Sequence, residues 1–161
     1  MNLFVATAIA ASLIGASAIA STGNGAAEAG SAMAVPGGDI AAGDAAFATQ
    51  CTSCHIVKSD DGELLAGNRA TVGPNLYRIA GRPVAAVKGF KYGKSLHAAG
   101  ETGAVWSEEE FTAYVQDPTG WLKAKLDDPK ARSKMGWKVR DPQEATDIFA
   151  YLHSLAPPEE K

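Results

Sequence analysis

Apolar residues recur at helical spacing in four parts of the chain, and none of these parts is flanked by the apolar/polar alternation of a strand. The last pattern is the clearest, with apolar positions at Ala145, Ile148, Phe149, Leu152 and Leu155. Asp141-Pro142-Gln143-Glu144 precedes it and offers a cap, a first-turn proline and a capping-box acid. The patterning therefore predicts an all-α domain whose final helix packs against a core.

Three earlier helices complete this prediction. The first runs from Ile40 to Gln50. The second begins at Ser107, where Ser107-Glu108-Glu109-Glu110 forms a predicted capping box, and ends before Asp117-Pro118. Asp117-Pro118 then begins a short helix that carries Trp121, Leu122 and Leu126.

The N-terminal part of the chain differs from the rest. Leu3 to Ala20 is almost wholly apolar, which is typical of an export signal, although no Lys or Arg precedes Lys58 to supply the usual basic start. We predict a signal peptide at 1–20, a linker or disordered tail at 21–38, one domain at 39–156 and a charged tail at 157–161. Export would place the domain in the periplasm, and an uncleaved signal would tether it to the membrane.

The formal net charge of −3 conceals an uneven distribution. No acid occurs between Leu64 and Gly100, where the charged residues are Arg69, Arg78, Arg82, Lys88, Lys91 and Lys94. Acids gather instead at Glu101, Glu108, Glu109, Glu110 and Asp117, and again at Asp141, Glu144, Asp147, Glu159 and Glu160. Either these are ordinary solvated charges or they form a dipole whose basic face suits an acidic partner. Export and a pI of about 5.6 argue against nucleic acid.

The chain has two cysteines, and both fall in Cys51-Thr52-Ser53-Cys54-His55. This is the attachment motif of haem c. Its two thiols can reach the two vinyl groups on one side of the porphyrin, while the adjoining imidazole of His55 comes up beneath the iron.

Three other interpretations of the cysteine pair are weaker. A thioredoxin-like dithiol belongs between a strand and a helix, and no strand–helix alternation is visible. A zinc site needs further ligands, and only His97 and His153 remain, far along the chain. A disulfide would leave the adjoining His55 unexplained.

The sixth iron ligand decides between an electron carrier and a ligand-binding haem. Met1 is the initiator and Met33 precedes the predicted domain, which leaves Met135 in a polar, Gly-containing loop. His97, in a Gly/Lys-rich predicted loop, and His153, on the last helix, are the alternatives.

Taken together, these residues resemble class I cytochrome c, in particular the long bacterial periplasmic carriers of the c2 and c-550 type. The resemblance extends from Gly38 to Leu155. Its motifs follow Cys51–His55 in the order Val72-Gly73-Pro74-Asn75-Leu76, Gly81-Arg82, Gly89-Phe90-Lys91-Tyr92, Trp106, Tyr114, Lys134-Met135, and Ile148 with Tyr151.

The resemblance implies roles for several residues. The carbonyl of Pro74 would accept the far N–H of His55. A haem propionate would be held by Arg82, Tyr92 and Trp106. Tyr114 would lie near the Met135 sulfur. It also implies that the first helix, through Gly43 and Phe47, crosses the last at Ile148 and Tyr151.

The implied function is single-electron transfer and not enzymatic catalysis. The donor would be a quinol-oxidising cytochrome bc complex, and the acceptor a terminal oxidase, a photosynthetic reaction centre or a denitrification enzyme, each docking on the monomeric carrier. A ring of basic side chains would steer these partners, namely Lys88, Lys91, Lys94, Lys123, Lys125, Lys134 and Lys138. A haem enzyme or gas sensor without Met135 on the iron is the alternative. An insertion between His55 and Pro74, carrying Asp60, Asp61 and Glu63, would alter partner preference.

Overall fold

The computed structural model of the protein describes residues 36–156, which form five helices and one small hairpin. The elements are α1 (Ile40–Gln50), β1 (Val57–Lys58), β2 (Leu64–Ala66), α2 (Lys94–Glu101), α3 (Glu108–Gln116), α4 (Pro118–Leu126) and α5 (Pro142–Leu155). The predicted helical class is confirmed, and the four predicted helices are α1, α3, α4 and α5. The predicted leader, residues 21–35 of the predicted linker and the predicted tail lie outside the described residues. Within 36–156, no helix has the length and apolarity to span a bilayer.

A short polar side chain caps the N-terminus of each predicted helix. Asp39 accepts from the amide of Ala42 at 2.9 Å, Ser107 from that of Glu110 at 3.2 Å, and Asp141 from that of Gln143 at 2.8 Å. Asp117 caps α4 by accepting from the amide of Gly120 at 3.1 Å. Each bond satisfies one of the amides that a helix leaves without a partner in its first turn. The caps explain why these helices begin where the sequence predicts.

The acid half of both predicted capping boxes is wrong. Glu110 accepts from Trp121 Nε1 at 2.7 Å and pairs with Lys125, and does not return to the start of its own helix. Glu144 similarly accepts from Gln50 Nε2 at 2.9 Å. Each carboxylate therefore connects its helix to another helix and does not cap its own.

The crossing of α1 and α5 closes the domain. A Cβ at Gly43 would lie 2.5 Å from the carbonyl carbon of Asp147 and 2.8 Å from Cβ of Tyr151, so only glycine permits this approach. One helical turn later, the ring of Phe47 meets that of Tyr151 at 5.7 Å between centroids. The predicted crossing of these two helices is confirmed.

Asp147 stabilises this crossing from inside. Asp147 is 6% exposed, and its Oδ1 accepts from the amide of Asp39 at 2.8 Å and from Gln143 Nε2 at 2.9 Å. Its prediction as a surface acid is wrong. A buried carboxylate is tolerated because two donors replace its hydration.

Aromatic side chains link α3 to its neighbours. Phe111 of α3 contacts Phe149 of α5 at 5.3 Å between ring centroids. Trp121 of α4, Trp106 and Tyr114 contact one another, with ring centroids 5.1 to 5.6 Å apart. This cluster forms one wall of the interior.

Two elements were not predicted. The hairpin β1–β2 lies within the insertion and pairs Val57 with Ala66. Helix α2 occupies a segment that was predicted to be a loop, so the placement of His97 in a loop is wrong. His97 lies on α2, is 64% exposed, and approaches Glu101 one turn later at 3.3 Å.

Candidate functional site

The two thiols lie on the turn that ends α1. Cys51 is the C-cap of that helix, and its carbonyl accepts from the amides of Cys54 at 3.1 Å and His55 at 2.9 Å. This tight turn fixes the two sulfurs and the imidazole relative to one another. Burial, reinforced by the neighbouring Cys54, raises the pKa of the Cys51 thiol to about 12.

The ring of His55 is held in one orientation. Its Nδ1 lies 3.0 Å from the carbonyl oxygen of Pro74, and because a carbonyl can only accept, Nδ1 carries the proton. Burial lowers the pKa of His55, and the bond to Pro74 offsets this only in part. The imidazole is therefore neutral near pH 7, with Nε2 available as a metal ligand.

Gly73 lies flat against that ring. A Cβ at Gly73 would lie 2.5 Å from Nδ1 and 2.7 Å from Nε2 of His55, closer than side chains approach one another. Its amide donates to the carbonyl of Cys54 at 2.7 Å, and the amide of Leu76 donates to that of Ile56 at 2.9 Å. Main-chain bonds thus attach the Gly73–Leu76 segment to the turn that follows α1.

Asn75 connects the same segment to the hairpin. Its Oδ1 accepts from the amide of Lys58 at 2.9 Å, and its Nδ2 donates to the carbonyl of Lys58 at 2.6 Å. The side chain pairs with β1 much as another strand would. The insertion is therefore anchored beside His55, where Arg78 also binds Asp60 at 2.9 Å.

Residues 131–139, here called the Met135 loop, approach the interior from a different part of the chain. Within this loop the amide of Arg132 donates to Ser95 Oγ at 3.1 Å, and that of Ser133 donates to Thr119 Oγ1 at 3.3 Å. Lys134 Nζ donates to the carbonyl of Lys91 at 2.9 Å. The predicted loop conformation around Met135 is confirmed, and its side chain packs against the core.

All of these parts meet around one cavity of about 570 Å³. Its size is that of a pocket for an organic cofactor. It is lined by every residue that the sequence analysis selected: Cys51, Cys54, His55, Pro74, Arg82, Tyr92, Trp106, Tyr114 and Met135. His97 and His153 are not among the lining residues within 36–156. The donor set fits a haem, because thiols, a neutral imidazole and a thioether share one largely apolar space.

Polar groups in this lining are few and specific. Arg82 Nη1 donates to the carbonyl of Asn75 at 3.3 Å, and Tyr92 Oη accepts from the amide of Val87 at 3.2 Å. Burial lowers the pKa of Arg82 and raises that of Tyr92. A cation and a phenol in a partly dry pocket are suited to hold a carboxylate of the bound group.

Sequence reasoning missed some of the lining. Leu96 reaches the cavity from α2, and exposed Val72 and Trp137 stand at its surface. Ser133, two residues before Met135, binds both the Met135 amide and the hydroxyl of Tyr114. A hydroxyl two residues before a candidate ligand is the only sequence indication of Ser133, and it is a weak one.

The fold and the cavity define the class: a helical domain in which one cavity is lined by two thiols, an imidazole and a thioether, as in a haem protein with covalent attachment. A family model described as Cytochrome c matches residues 40–156. The chain is similar to cytochrome c2 of Rhodovulum adriaticum, with 55% identity over 76% of this chain and 97% of the relative, and to cytochrome c-551 of Roseobacter denitrificans, with 50% identity over 74% and 82%. The solved cytochrome c2 of Rhodobacter sphaeroides aligns with a TM-score of 0.72 and 43% identity, over 75% of this chain and 99% of that one.

The chain therefore belongs to the cytochrome c family, and its predicted resemblance is confirmed. Its cofactor is one covalently bound haem c, as predicted. It transfers electrons and is not an enzyme.

Proposed function

We propose that Cys51 and Cys54 bind the haem through thioether bonds, and that His55 Nε2 and the Met135 sulfur ligate its iron. The supporting observation is that one cavity is lined by both thiols, the neutral ring of His55 and the only methionine within residues 36–156. The haem supplies a one-electron couple when bound. The thioether, a weak donor, favours the ferrous state and a relatively high reduction potential.

The other lining residues have supporting roles in this proposal. The carbonyl of Pro74 fixes the tautomer of His55 and increases its donor strength. Arg82, Tyr92 and Trp106 hold a haem propionate by hydrogen bonds, which offsets the cost of burying its charge. Tyr114 lies on the Met135 side, where it binds Ser133.

Replacement of Met135 by Ala tests the ligand assignment. The variant should lose the weak near-infrared charge-transfer band of the ferric protein, bind carbon monoxide when reduced, and have a lower potential. His97→Ala and His153→Ala are matched controls that should change none of these. A Met135→Ala protein with an unaltered spectrum and potential would assign the sixth position to a histidine.

Attachment is tested by intact mass. The mature protein should carry the mass of one haem, and Cys51→Ser with Cys54→Ser together should remove it. A colourless native protein with no added mass would contradict the whole proposal.

We further propose a monomeric periplasmic carrier between a cytochrome bc complex and a terminal oxidase, reaction centre or denitrification enzyme. Lys91 and Lys134 line the cavity and are exposed, as are Lys88 and Lys94 nearby in sequence. Lys125 pairs with Glu110, and Lys138 pairs with Asp117 at 2.9 Å. Because each charge is partly neutralised by its partner, these two lysines contribute less to the positive electrostatic field of the surface. An acidic partner would be steered by the first four lysines.

Partner steering is tested by the rate of electron transfer with a purified cytochrome bc complex. Lys91→Gln with Lys134→Gln should reduce the second-order rate and weaken its dependence on salt. Lys130→Gln, which also removes an exposed charge, is the control. Equal effects of the two changes would contradict a localised docking face.

The localisation and domain boundaries belong to the same proposal. Export through residues 1–20 would leave a mature chain that begins in 21–38 and carries the domain at 39–156 in the periplasm. N-terminal sequencing of native protein from a periplasmic extract tests this. A full-length chain recovered only with membranes would instead indicate a retained anchor.

A further inference from the structure

Two stacked tryptophans lead from the cavity towards the surface of α3 and α4. Trp106 lines the cavity, whereas Trp121 is not among the lining residues within 36–156. The two rings stack with 5.6 Å between their centroids and 28° between their planes. Trp121 is 9% exposed, so it is shielded from direct attack by reagents in solution. The stack therefore connects the space proposed for the haem to a second, buried indole outside it.

The polar edge of Trp121 ends at an ion pair. Its Nε1 donates to Glu110 Oε2 at 2.7 Å, and the other oxygen of that carboxylate pairs with Lys125. The side chains of Glu110 and Lys125 are each 29% exposed, so the pair reaches solvent. The Trp121 indole thus has the cavity-lining Trp106 against its face and a partly hydrated carboxylate at its N–H.

This arrangement favours the loss of one electron from Trp121. An indole that loses an electron becomes positively charged, and its N–H becomes acidic. A carboxylate that accepts this N–H stabilises the positive charge and can take the proton. Lys125 Nζ, 5.6 Å from the centre of the ring, would oppose the charge, but its pairing with Glu110 cancels much of that effect.

Tyr114 is a poorer site for the same oxidation. Its ring contacts both tryptophans, at 5.1 and 5.4 Å between centroids. A phenol must release its proton when it loses an electron, and the Tyr114 hydroxyl lies 3.0 Å from Ser133 Oγ, a neutral group and a poor base. The carboxylate at Trp121 therefore makes that indole the favoured end of the aromatic cluster.

We propose that Trp106 and Trp121 form a relay that carries oxidising equivalents out of the cavity when a hydroperoxide oxidises the haem. The inference rests on the proposed attachment of the haem in this cavity. The relay would protect the porphyrin, because an oxidising equivalent that stays in the cavity attacks the ring. This is a second redox route, separate from electron exchange with partner proteins.

The electrons and protons balance with an external reductant such as ascorbate. Over one cycle the hydroperoxide takes two electrons and two protons, its O–O bond breaks, and an alcohol and water leave. Trp106 supplies each electron to the oxidised haem, and Trp121 replaces the electron lost by Trp106. The Nε1 proton of Trp121 moves towards Glu110 and returns when ascorbate reduces the indole.

Mapping of oxidised residues tests the route. The ferric, haem-loaded protein is treated with hydrogen peroxide without ascorbate, and its peptides are analysed by mass spectrometry. Added oxygen should appear at Trp121, and several-fold less of it in Glu110→Gln, which retains the buried ring but removes the carboxylate charge. Trp137, 57% exposed, is the internal reference for direct attack by peroxide. Added oxygen at Trp137 with none at Trp121 would overturn the proposal.

Bleaching of the haem absorbance measures the protection. The quantity compared is the amount of haem lost per peroxide consumed, which does not depend on how easily peroxide enters the cavity. This quantity should rise several-fold in Trp121→Phe, and added ascorbate should protect the variant much less than the wild type. Trp137→Phe, the same substitution outside the stack, should behave like the wild type. Equal haem loss in Trp121→Phe and the wild type would contradict the relay.

Failure of the proposed function has a different signature. A native protein without the added mass of a haem would have no absorbance to bleach, whatever Trp121 does. A haem-loaded protein in which Trp121 stays unoxidised would refute the relay and leave the proposed attachment intact.

Discussion

The two segments that carry the proposed iron ligands are held by different kinds of bond. Around His55, main-chain groups bind one another across the turn after α1 and the Gly73–Leu76 segment, at 2.7 to 2.9 Å. The Met135 loop has main-chain bonds only at its ends, from Ala131 to Asp128 and from Val139 to Val115. Its middle is held by bonds that need the side chains of Ser95, Thr119 and Lys134, and these bonds join positions 37, 14 and 43 residues apart. The nitrogen ligand is thus fixed by backbone geometry, while the sulfur ligand is held by contacts that single substitutions can remove.

Within one site, the segment around His55 is therefore rigid, whereas the Met135 loop can be adjusted by substitution. Main-chain bonds persist under most substitutions because every residue type except proline supplies both the N–H and the carbonyl. A side-chain bond contributes about 1 kcal/mol and disappears with its residue. Variation in potential and in ligand exchange should therefore concentrate at the Met135 loop.

The largest effect is expected at Gly73. Gly73→Ala forces a Cβ against the His55 ring, which cannot retreat because Pro74 holds Nδ1, so we expect a loss of roughly 3 kcal/mol. Denaturant unfolding of the haem-loaded protein measures it. Gly37→Ala, where a Cβ meets nothing within 4 Å, should be nearly neutral. Near-neutral behaviour of Gly73→Ala would show that the His55 segment is not rigid.

A smaller loss is expected when the hairpin is released. Asn75→Ala removes two bonds to Lys58 and should cost about 2 kcal/mol while accelerating amide exchange at Lys58. Asn68→Ala, at an exposed position, provides the comparison. If the two variants unfold alike, the hairpin is not anchored through Asn75.

On the Met135 loop a change of similar chemistry should act locally. Thr119→Val deprives the Ser133 amide of its acceptor, which should cost about 1 kcal/mol of loop closure and speed exchange of that amide. Global unfolding should change less than in Asn75→Ala. Thr112→Val is the control, because it removes an exposed bond within α3, from Thr112 Oγ1 to the carbonyl of Glu109, and should not affect the loop. Equal global losses in the Thr119 and Asn75 variants would remove the distinction between the two segments.

The smallest effect concerns Glu110, behind the aromatic cluster. Burial raises the pKa of Glu110, but the bonds from Lys125 and Trp121 outweigh it and lower the pKa overall. A lowered folded-state pKa stabilises the fold above the unfolded value and loses this as pH falls through the folded value. Between about pH 6 and about pH 3 the wild type should lose up to about 1 kcal/mol more than Glu110→Gln. Glu109→Gln, at an exposed position, should behave like the wild type, and a pH profile of Glu110→Gln identical to the wild type would contradict the assignment.

The sequence predicted the elements that are specified by a few neighbouring residues, and missed those that depend on residues far along the chain. Helices α1, α3, α4 and α5 begin at side-chain caps that can be recognised over three or four residues. Helix α2 has Gly93 as its N-cap with no side-chain bond, so no such pattern marked it. The hairpin strands have two and three residues, too few for alternation, and depend on the distant Asn75.

The same distinction explains the candidate site. The ligand residues carry their chemistry in their identity and in the Cys-x-x-Cys-His spacing, so sequence was sufficient to select them. The capping acids Glu110 and Glu144 were misjudged because partners far along the chain, in α4 and α1, attract them more than their own helix ends. The contact of Ser133 with Tyr114 likewise joins residues 19 positions apart.

The α1–α5 crossing has a consequence for how such a chain can vary. Asp39 and Asp147, 108 positions apart, are joined directly, so everything between them is one closed circuit of chain. The entropy of closing a circuit grows only with the logarithm of its length. Extra residues such as the β1–β2 hairpin therefore add little to that entropic cost. The chain between Asp39 and Asp147 can lengthen without weakening the bond that joins them.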